Sequence, residues 1–199
     1  MAEGARVDGR TARSQRTRAA IVDAHLALLT GGDLRPTGER IAEAAGISLR
    51  TLWTNFKDME TLFQAAGERL IELQDSQHKP VDPDLPLPAR ISAFCDQRSR
   101  MLEIIAPAAR AAALREPFSS QLRVNRNIQL DRSRTELHEV FGAELKAAGK
   151  HRDDLENALL AVTTYASWGL WRDHLGQDLE SSRRIMHRTV TALFASVGA

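Results

Sequence analysis

Three observations predict an all-α protein. Apolar residues recur at helical spacing through almost the whole chain, no sustained alternation of period two marks a strand, and glycines or prolines punctuate the apolar runs. The strongest punctuation is HKPVDPDLPLP, residues 78–88, whose four prolines cannot be helical throughout. It divides the chain into a flexible basic arm (1–13), an N-terminal helical domain with its connecting helix (14–77), a proline-rich linker (78–88) and a C-terminal helical domain (89–199).

The first helix is expected from Ser14 to Thr30, with Ile21, Ala24, Leu28 and Leu29 inward and Gly31-Gly32 as its stop. Pro36 and Thr37 open the second, Thr37 as N-cap. A third runs from Leu49 to about Phe56. The fourth spans Asp58 to about Gln77 and turns Leu62, Phe63, Ala66, Leu70 and Leu73 to a core. Beyond the linker, helices are expected at Ala89–Ile105, interrupted by Pro107, then Ala108–Arg115, Ser119–Ala148, His151–Leu175 and Leu179–Val197. Pro117, Gly149 and Gly176 mark breaks.

Of 199 residues, 43% are hydrophobic and 27% charged, which places the chain in the soluble globular class. No run approaches the roughly eighteen apolar residues of a membrane span, and the N-terminal arginines precede no apolar core of a secretory signal. A cytoplasmic protein with no membrane partner is expected. Its one cysteine, Cys95, has no partner for an intrachain disulfide or a cysteine-rich metal site and reads as a small buried hydrophobe. A net charge of +1 argues for no partner, but its distribution does. Arg6, Arg10, Arg13, Arg16 and Arg18 outnumber Glu3 and Asp8 in the leader, as in a solvated tail or an arm that meets nucleic acid.

The most informative stretch is IAEAAGISLRTLWTNFKDMETL, Ile41 to Leu62, where two short helical patterns meet across one glycine. Ile41, Ala42 and Ala45 give the first an apolar face, Gly46 can take the left-handed conformation that ends it, and Ile47 packs inward. Ser48 caps the second helix, on which Leu52 and Phe56 fall four apart on the buried side. Arg50, Thr51, Trp53, Thr54 and Asn55 are left outside. This is the pattern of a helix-turn-helix, whose second helix reads double-stranded DNA in the major groove. Arg50 suits guanine O6 and N7, Leu49 or the Thr51 methyl suits a thymine methyl, and Asn55 suits an adenine edge or a phosphate. Thr37, Ser48, the Trp53 indole N–H and Lys57 are candidate phosphate anchors. Thr54 completes the outward face.

The stretch resembles the TetR family of one-component transcriptional regulators, whose N-terminal signature runs Ile-Ala, two residues, Ala-Gly-Val-Ser, then Thr-Leu-Tyr, an aromatic-rich turn and Lys-Glu-x-Leu. Here it reads IAEAAGIS, TLWTNF and METL. The resemblance covers the chain in length and helical character and is specific over about its first third. Arg50 replaces a frequent glycine, Trp53 a tyrosine, Asn55 an aromatic or histidine, and Met59 the lysine opening the next helix. Met59 removes a phosphate contact for which Lys57 is the nearby substitute. His25 stands where the family commonly has alanine and reads as a core or helix-surface variant.

The resemblance implies a three-helix DNA-binding domain followed by a helical ligand-binding and dimerisation domain, acting as a repressor on a palindromic operator. It implies a small-molecule effector inside the second domain. Candidate lining residues are Phe94, Met101, Phe118, Tyr165, Trp168 and Trp171, with Asn125, His138, Thr164 and Arg172 as polar selectors. An aromatic, sparsely charged set suits a largely apolar ligand, and the same residues also suit ordinary core. Leu155, Leu159, Val162, Ala166 and Gly169 form a stripe with small residues, and Val190 and Phe194 belong to an apolar final helix. The resemblance implies that these helices pair with their two-fold copies in a homodimer; packing within one subunit would produce the same stripe.

No enzyme is expected. The six histidines, His25, His78, His138, His151, His174 and His187, show no ligand spacing such as HExxH, and no phosphate-cradling glycine loop or nucleophile elbow occurs. No metal or cofactor is expected. Asp153-Asp154 and Glu136/Glu139 read as solvated helix surface, the first pair also suiting a helix N-terminus. The competing function is a helical ligand-binding or protein-interaction module with a vestigial DNA reader, consistent with Met59.

Overall fold

The computed structural model describes residues 2–198, with side chains described from Thr11 onward. The fold is all-α, and no strand occurs among the described residues. The helices are α1 (Ala2–Thr30), α2 (Gly38–Ala44), α3 (Leu49–Asn55), α4 (Met59–Gln77), α5 (Leu87–Arg115), α6 (Ser120–Ala147), α7 (Arg152–Thr163), α8 (Tyr165–Gly169) and α9 (Leu179–Ser196). Two 3-10 turns precede α6 and α7, and a π-helical turn, Leu170–His174, follows α8. No helix among the described residues is long and apolar enough to cross a membrane.

The chain divides into two compact units, Met1–Leu73 with Pro107–Asn125, and Gln74–Ala106 with Arg126–Ala199. Each division falls inside a helix, in α4, α5 and α6.

The first unit is built on a core of Ile21 and Val22 from α1, Ile41 and Ala42 from α2, Leu52 and Phe56 around α3, and Leu62 and Ala66 from α4. Its second segment is fastened by polar groups. Glu60 of α4 accepts from the Gln121 backbone N–H (2.9 Å) and the Ser120 hydroxyl (3.3 Å), so it takes up one of the amides that the first turn of α6 leaves unpaired. Burial raises the Glu60 carboxyl, but hydrogen bonds from Ser119, Gln121 and Ser120 outweigh this and hold it below its ordinary value. The Asn125 amide donates to the Phe63 carbonyl at 2.9 Å.

The second unit has an aromatic core. Phe141 lies 5.2 Å from Phe94 and 4.9 Å from Phe194, ring centre to ring centre. Phe141 has non-helical dihedrals (φ −122°, ψ 20°) that kink α6. Arg90 of α5 donates to the carbonyl of Val140 beside the kink at 2.8 Å and pairs with Glu144 one turn on. Hydrogen bonds from Arg90 and its positive charge hold the Glu144 carboxyl below its ordinary value against the burial that raises it.

The structure differs from the sequence-based expectation in four places. The backbone of the leader continues α1 back to Ala2, where a flexible arm and a start near Ser14 were expected; its alanines and arginines are good helix formers. Of its charges, Glu3, Arg6, Asp8 and Arg10 lie outside the residues whose side chains are described. Pro107 does not interrupt α5, which runs from Leu87 to Arg115, because proline removes one backbone donor and the rest of the helix keeps its own. The helix expected over His151–Leu175 breaks at Thr164, whose backbone is extended (φ −100°, ψ 171°). Hydroxyls compete there for the carbonyls of the last turn: Thr163 donates to Leu159 O at 2.7 Å and Ser167 to Ala161 O at 2.8 Å. Finally, Glu136 is not solvated surface but pairs with the buried Arg98.

Candidate nucleic-acid interface

The turn between α2 and α3 is a Schellman motif. Gly46 has φ +66°, the Ile47 N–H donates to Ala42 O at 2.9 Å and the Gly46 N–H to Glu43 O at 3.0 Å. Only a residue without a side-chain penalty at positive φ ends α2 this tightly, and the chain then turns directly into α3. Thr37 caps α2 by accepting from the Arg40 N–H at 3.3 Å. Ser48 caps α3 by accepting from the Thr51 N–H at 3.1 Å, and its hydroxyl also pairs with that of Thr51 at 2.8 Å. Both expected caps are therefore in place, with their oxygens occupied by their own helices.

Leu52 and Phe56 are fully buried, which fixes the rotation of α3 about its axis. The opposite face carries Leu49, Arg50, Trp53 and Thr54 in exposed positions, with Thr51 and Asn55 half-buried at its margins. Arg50 forms no ion pair among the described residues, so its guanidinium is available to an incoming acceptor. The Thr54 hydroxyl donates back to Arg50 O at 2.7 Å, and the Asn55 amide to Thr51 O at 2.8 Å. That bond uses one of the two donor hydrogens of the Asn55 side-chain amide.

Trp53 is 38% exposed and rests on Gly38, the first residue of α2. A Cβ on Gly38 would meet the Trp53 ring at 2.6 Å and the Leu49 side chain at 3.2 Å. Glycine at this position leaves room for the Trp53 and Leu49 side chains of α3 to pack directly on the start of α2. Lys57 is exposed just beyond α3, next to Asp58. Asp58 accepts from the Thr61 N–H at 2.9 Å at the start of α4; that bond, opposed by burial and aided by Lys57, holds its carboxyl below the ordinary value.

One member of the site was expected in the basic leader but not as a partner of α3. Arg18 of α1 donates to the backbone carbonyl of Asn55 and places its guanidinium 4.1 Å from the Phe56 ring centre. With Trp53, Thr54, Asn55 and Lys57, and with Thr61, Gln64 and Glu68 of α4, it lines a polar cleft at the C-terminal end of α3. The sequence signal for the contact itself was spacing: Arg18 stands three residues before buried Ile21, on the side of α1 that meets α3.

The sequence matches no family model and no curated protein. It does resemble, in three dimensions, the crystal structure of a transcriptional regulator from Rhodococcus sp. Rha1. The TM-score is 0.67 at 19% sequence identity, over 92% of this chain and 96% of that one. The two chains share a fold.

The residues expected to line an effector site fall in both units. Phe118 and Asn125 belong to the first unit, where Phe118 is 91% exposed and Asn125 is tied to Phe63. The others lie in the second unit. Phe94, Trp168 and Trp171 are part of its core, the two indoles 6.3 Å apart and edge-to-face, and Met101 is buried. The Trp168 indole N–H donates to Glu103 at 2.8 Å, and Arg172 pairs with the same carboxylate at 3.0 Å. His138 is exposed and paired with Glu156, Tyr165 donates to Asp173, and Thr164 marks the break after α7.

Of the expected dimer residues, Leu155, Leu159, Val190 and Phe194 are 0 to 3% exposed in the core of their own subunit, and Gly169 is buried beneath Tyr165. Their apolar surface is already spent on packing α7 against α9. Val162 is half-buried and Ala166 exposed.

Proposed function

We propose that the protein is a DNA-binding transcriptional regulator of the TetR type, a homodimeric repressor released from a palindromic operator by a small, largely apolar effector. The observation that carries this reading is α3 itself. It is a short helix capped at its start, fixed in rotation by two buried side chains, and presents an unpaired arginine between Leu49 and Trp53. The shared fold with a transcriptional regulator supports the same reading. A seven-residue helix with this face fits the major groove, where Arg50 supplies two parallel donors to guanine and Lys57 supplies a phosphate contact.

The effector belongs in the second unit, where its entry would have to part the packed Met101, Trp168 and Trp171 side chains beside the polar Arg172–Glu103 pair. It releases DNA by favouring a dimer shape with the wrong reader separation, and only to the extent that it binds that shape better, typically by about 1 to 3 kcal/mol. α4, which runs from the reader into the second unit, is the lever.

The test is selection of duplexes from a randomised pool by the full-length protein, followed by titration of the selected sequence. A preferred two-fold sequence is expected. Arg50→Ala should cost about 1 to 3 kcal/mol and relax the preference at one base pair. A pool with no enriched sequence, bound weakly and only at low salt, would instead favour the interaction-module reading that Met59 leaves standing.

A further inference from the structure

We infer that Arg18 is a positioning residue of the DNA reader, holding the C-terminal end of α3 at the angle its outward side chains need; this rests on the reader proposed above. A helix of seven residues is marginal on its own and gets its geometry from its surroundings. At its start, Ser48 supplies the cap. At its end, the Thr51 carbonyl receives the Asn55 side-chain amide and the Leu52 carbonyl the Phe56 N–H, and the carbonyl of Asn55 is among those of the last turn that the helix itself cannot satisfy. Arg18 takes that carbonyl with its guanidinium and lies over the ring of Phe56, the residue that ends the helix. A cation at this place also suits the negative end of the helix dipole.

The clamp is long-range. Arg18 projects from α1, anchored by Ile21 and Val22 in the core of the first unit, and meets α3 37 residues later. It thereby adds a long-range hold to the end of α3 that the local bonds of Asn55 and Phe56 also secure. Trp53, Thr54 and Asn55, the three residues of the outer face nearest this end, share the cleft that Arg18 lines. Losing the clamp lets the last turn fray and moves these three side chains relative to the Ser48 end. The result is loss of discrimination at the base pairs they face, with the phosphate contacts of Thr37 and Ser48 unchanged.

The experiment compares wild type, Arg18→Met and Arg18→Lys as full chains on the duplex selected by wild type, on its single-base-pair variants and on an unrelated duplex, across a salt series. Arg18→Met should weaken binding to the selected duplex by about tenfold, the size expected for a charge-assisted hydrogen bond. It should flatten preference at one end of each half-site and leave both the unrelated duplex and the salt slope as they were. Arg18→Lys keeps a charged donor and should retain the wild-type preference to within about threefold. In the free protein, exchange of the Asn55 and Phe56 amides should accelerate in Arg18→Met alone.

Equal loss on every duplex with a salt slope lower by about one would make Arg18 a phosphate contact and overturn the inference. An unchanged preference profile in a folded Arg18→Met would overturn it too. Were Arg18→Met not to fold, a folded Arg18→Lys with the preference profile lost would be decisive against it, and the profile kept would support it. If wild type enriches no sequence, the reader itself fails, and that failure is read before any variant is made.

Discussion

His25 is 4% exposed in the first unit, its ring centre 6.0 Å from that of Phe63 and its Nδ1 without a hydrogen-bond partner among the described residues. Burial is the main cause that lowers its pKa to about 4; the charge of Arg115 lowers it further and Asp33 partly opposes. The folded protein therefore holds His25 neutral over a range in which an unfolded histidine takes a proton. Its contribution to stability is full above about pH 6.5 and is lost as the pH falls from there towards 4, on the order of 3 kcal/mol across the window. Protection of the α1 amides against hydrogen exchange should decline over that range in wild type. His25→Leu, which also removes the unpaired nitrogen, should flatten the decline; the same slope in both proteins would assign it to carboxylates elsewhere. The sequence left His25 open between core and surface, because a polar residue inside an apolar period does not reveal whether a neighbouring element covers it. Leu52, Phe56 and Ser48 were legible for the opposite reason, since spacing and cap chemistry act within one turn.

α5 and α6 are joined by charges that no periodicity announces. Arg98 lies 5.3 Å from the Phe94 ring centre, donates to Ser133 at 3.0 Å and pairs with Glu136, whose side chain is 13% exposed against 7% for Arg98. Burial pushes the Arg98 guanidinium below its ordinary value, and Glu136 opposes that push. Removing one partner of such a pair leaves a charge in a dry site. Arg98→Met should destabilise the protein by about 3 to 5 kcal/mol, whereas the double change Arg98→Met with Glu136→Leu should recover most of the loss. Thermal melting of wild type and the two variants decides it: a single variant as stable as wild type would mean that water reaches the pair. Glu136 read as solvated because its own helix shows a polar face there, and its partner is 38 residues away. The same blindness to tertiary context explains Pro107 and Thr164. The proline of α5 carried a strong local breaking signal that the surrounding helix overrode, and the threonine after α7 carried a weak one that Thr163 and Ser167 completed through hydroxyl bonds to carbonyls. Helix caps, the Gly46 turn and the buried face of α3 were legible in the sequence; long-range clamps such as Arg18 and Arg98 were not.

At the scale of the molecule, one α3 reaches only the few base pairs that a handful of side chains can touch, each good pair worth about 1 to 3 kcal/mol of discrimination. A two-fold pair of chains doubles the site without a new reader, and a closed symmetric dimer is the commonest way to build one. The surface for the second copy is narrower than the sequence implied. Leu155, Leu159, Val190 and Phe194 are consumed by the subunit's own core, which leaves Val162 and Ala166 at the outer margin of α7 and α8. Leu170, Leu175 and Leu179, 47 to 58% exposed, supply further apolar surface in the same stretch of chain. Wild type should therefore sediment as a dimer at micromolar concentration. Ala166→Arg, which sets a charge at an exposed position of that surface, should yield monomers of unchanged helix content. On DNA, the dimer should select two half-sites about 34 to 36 Å apart and bind with two chains per duplex. The Ala166→Arg monomer should bind a single half-site and lose the dependence on their separation. A wild-type monomer would remove the dimer from the proposal, and an Ala166→Arg dimer would move the interface away from α7 and α8. Selection of a single asymmetric site by wild type would leave α3 as the reader but end the case for a palindromic operator.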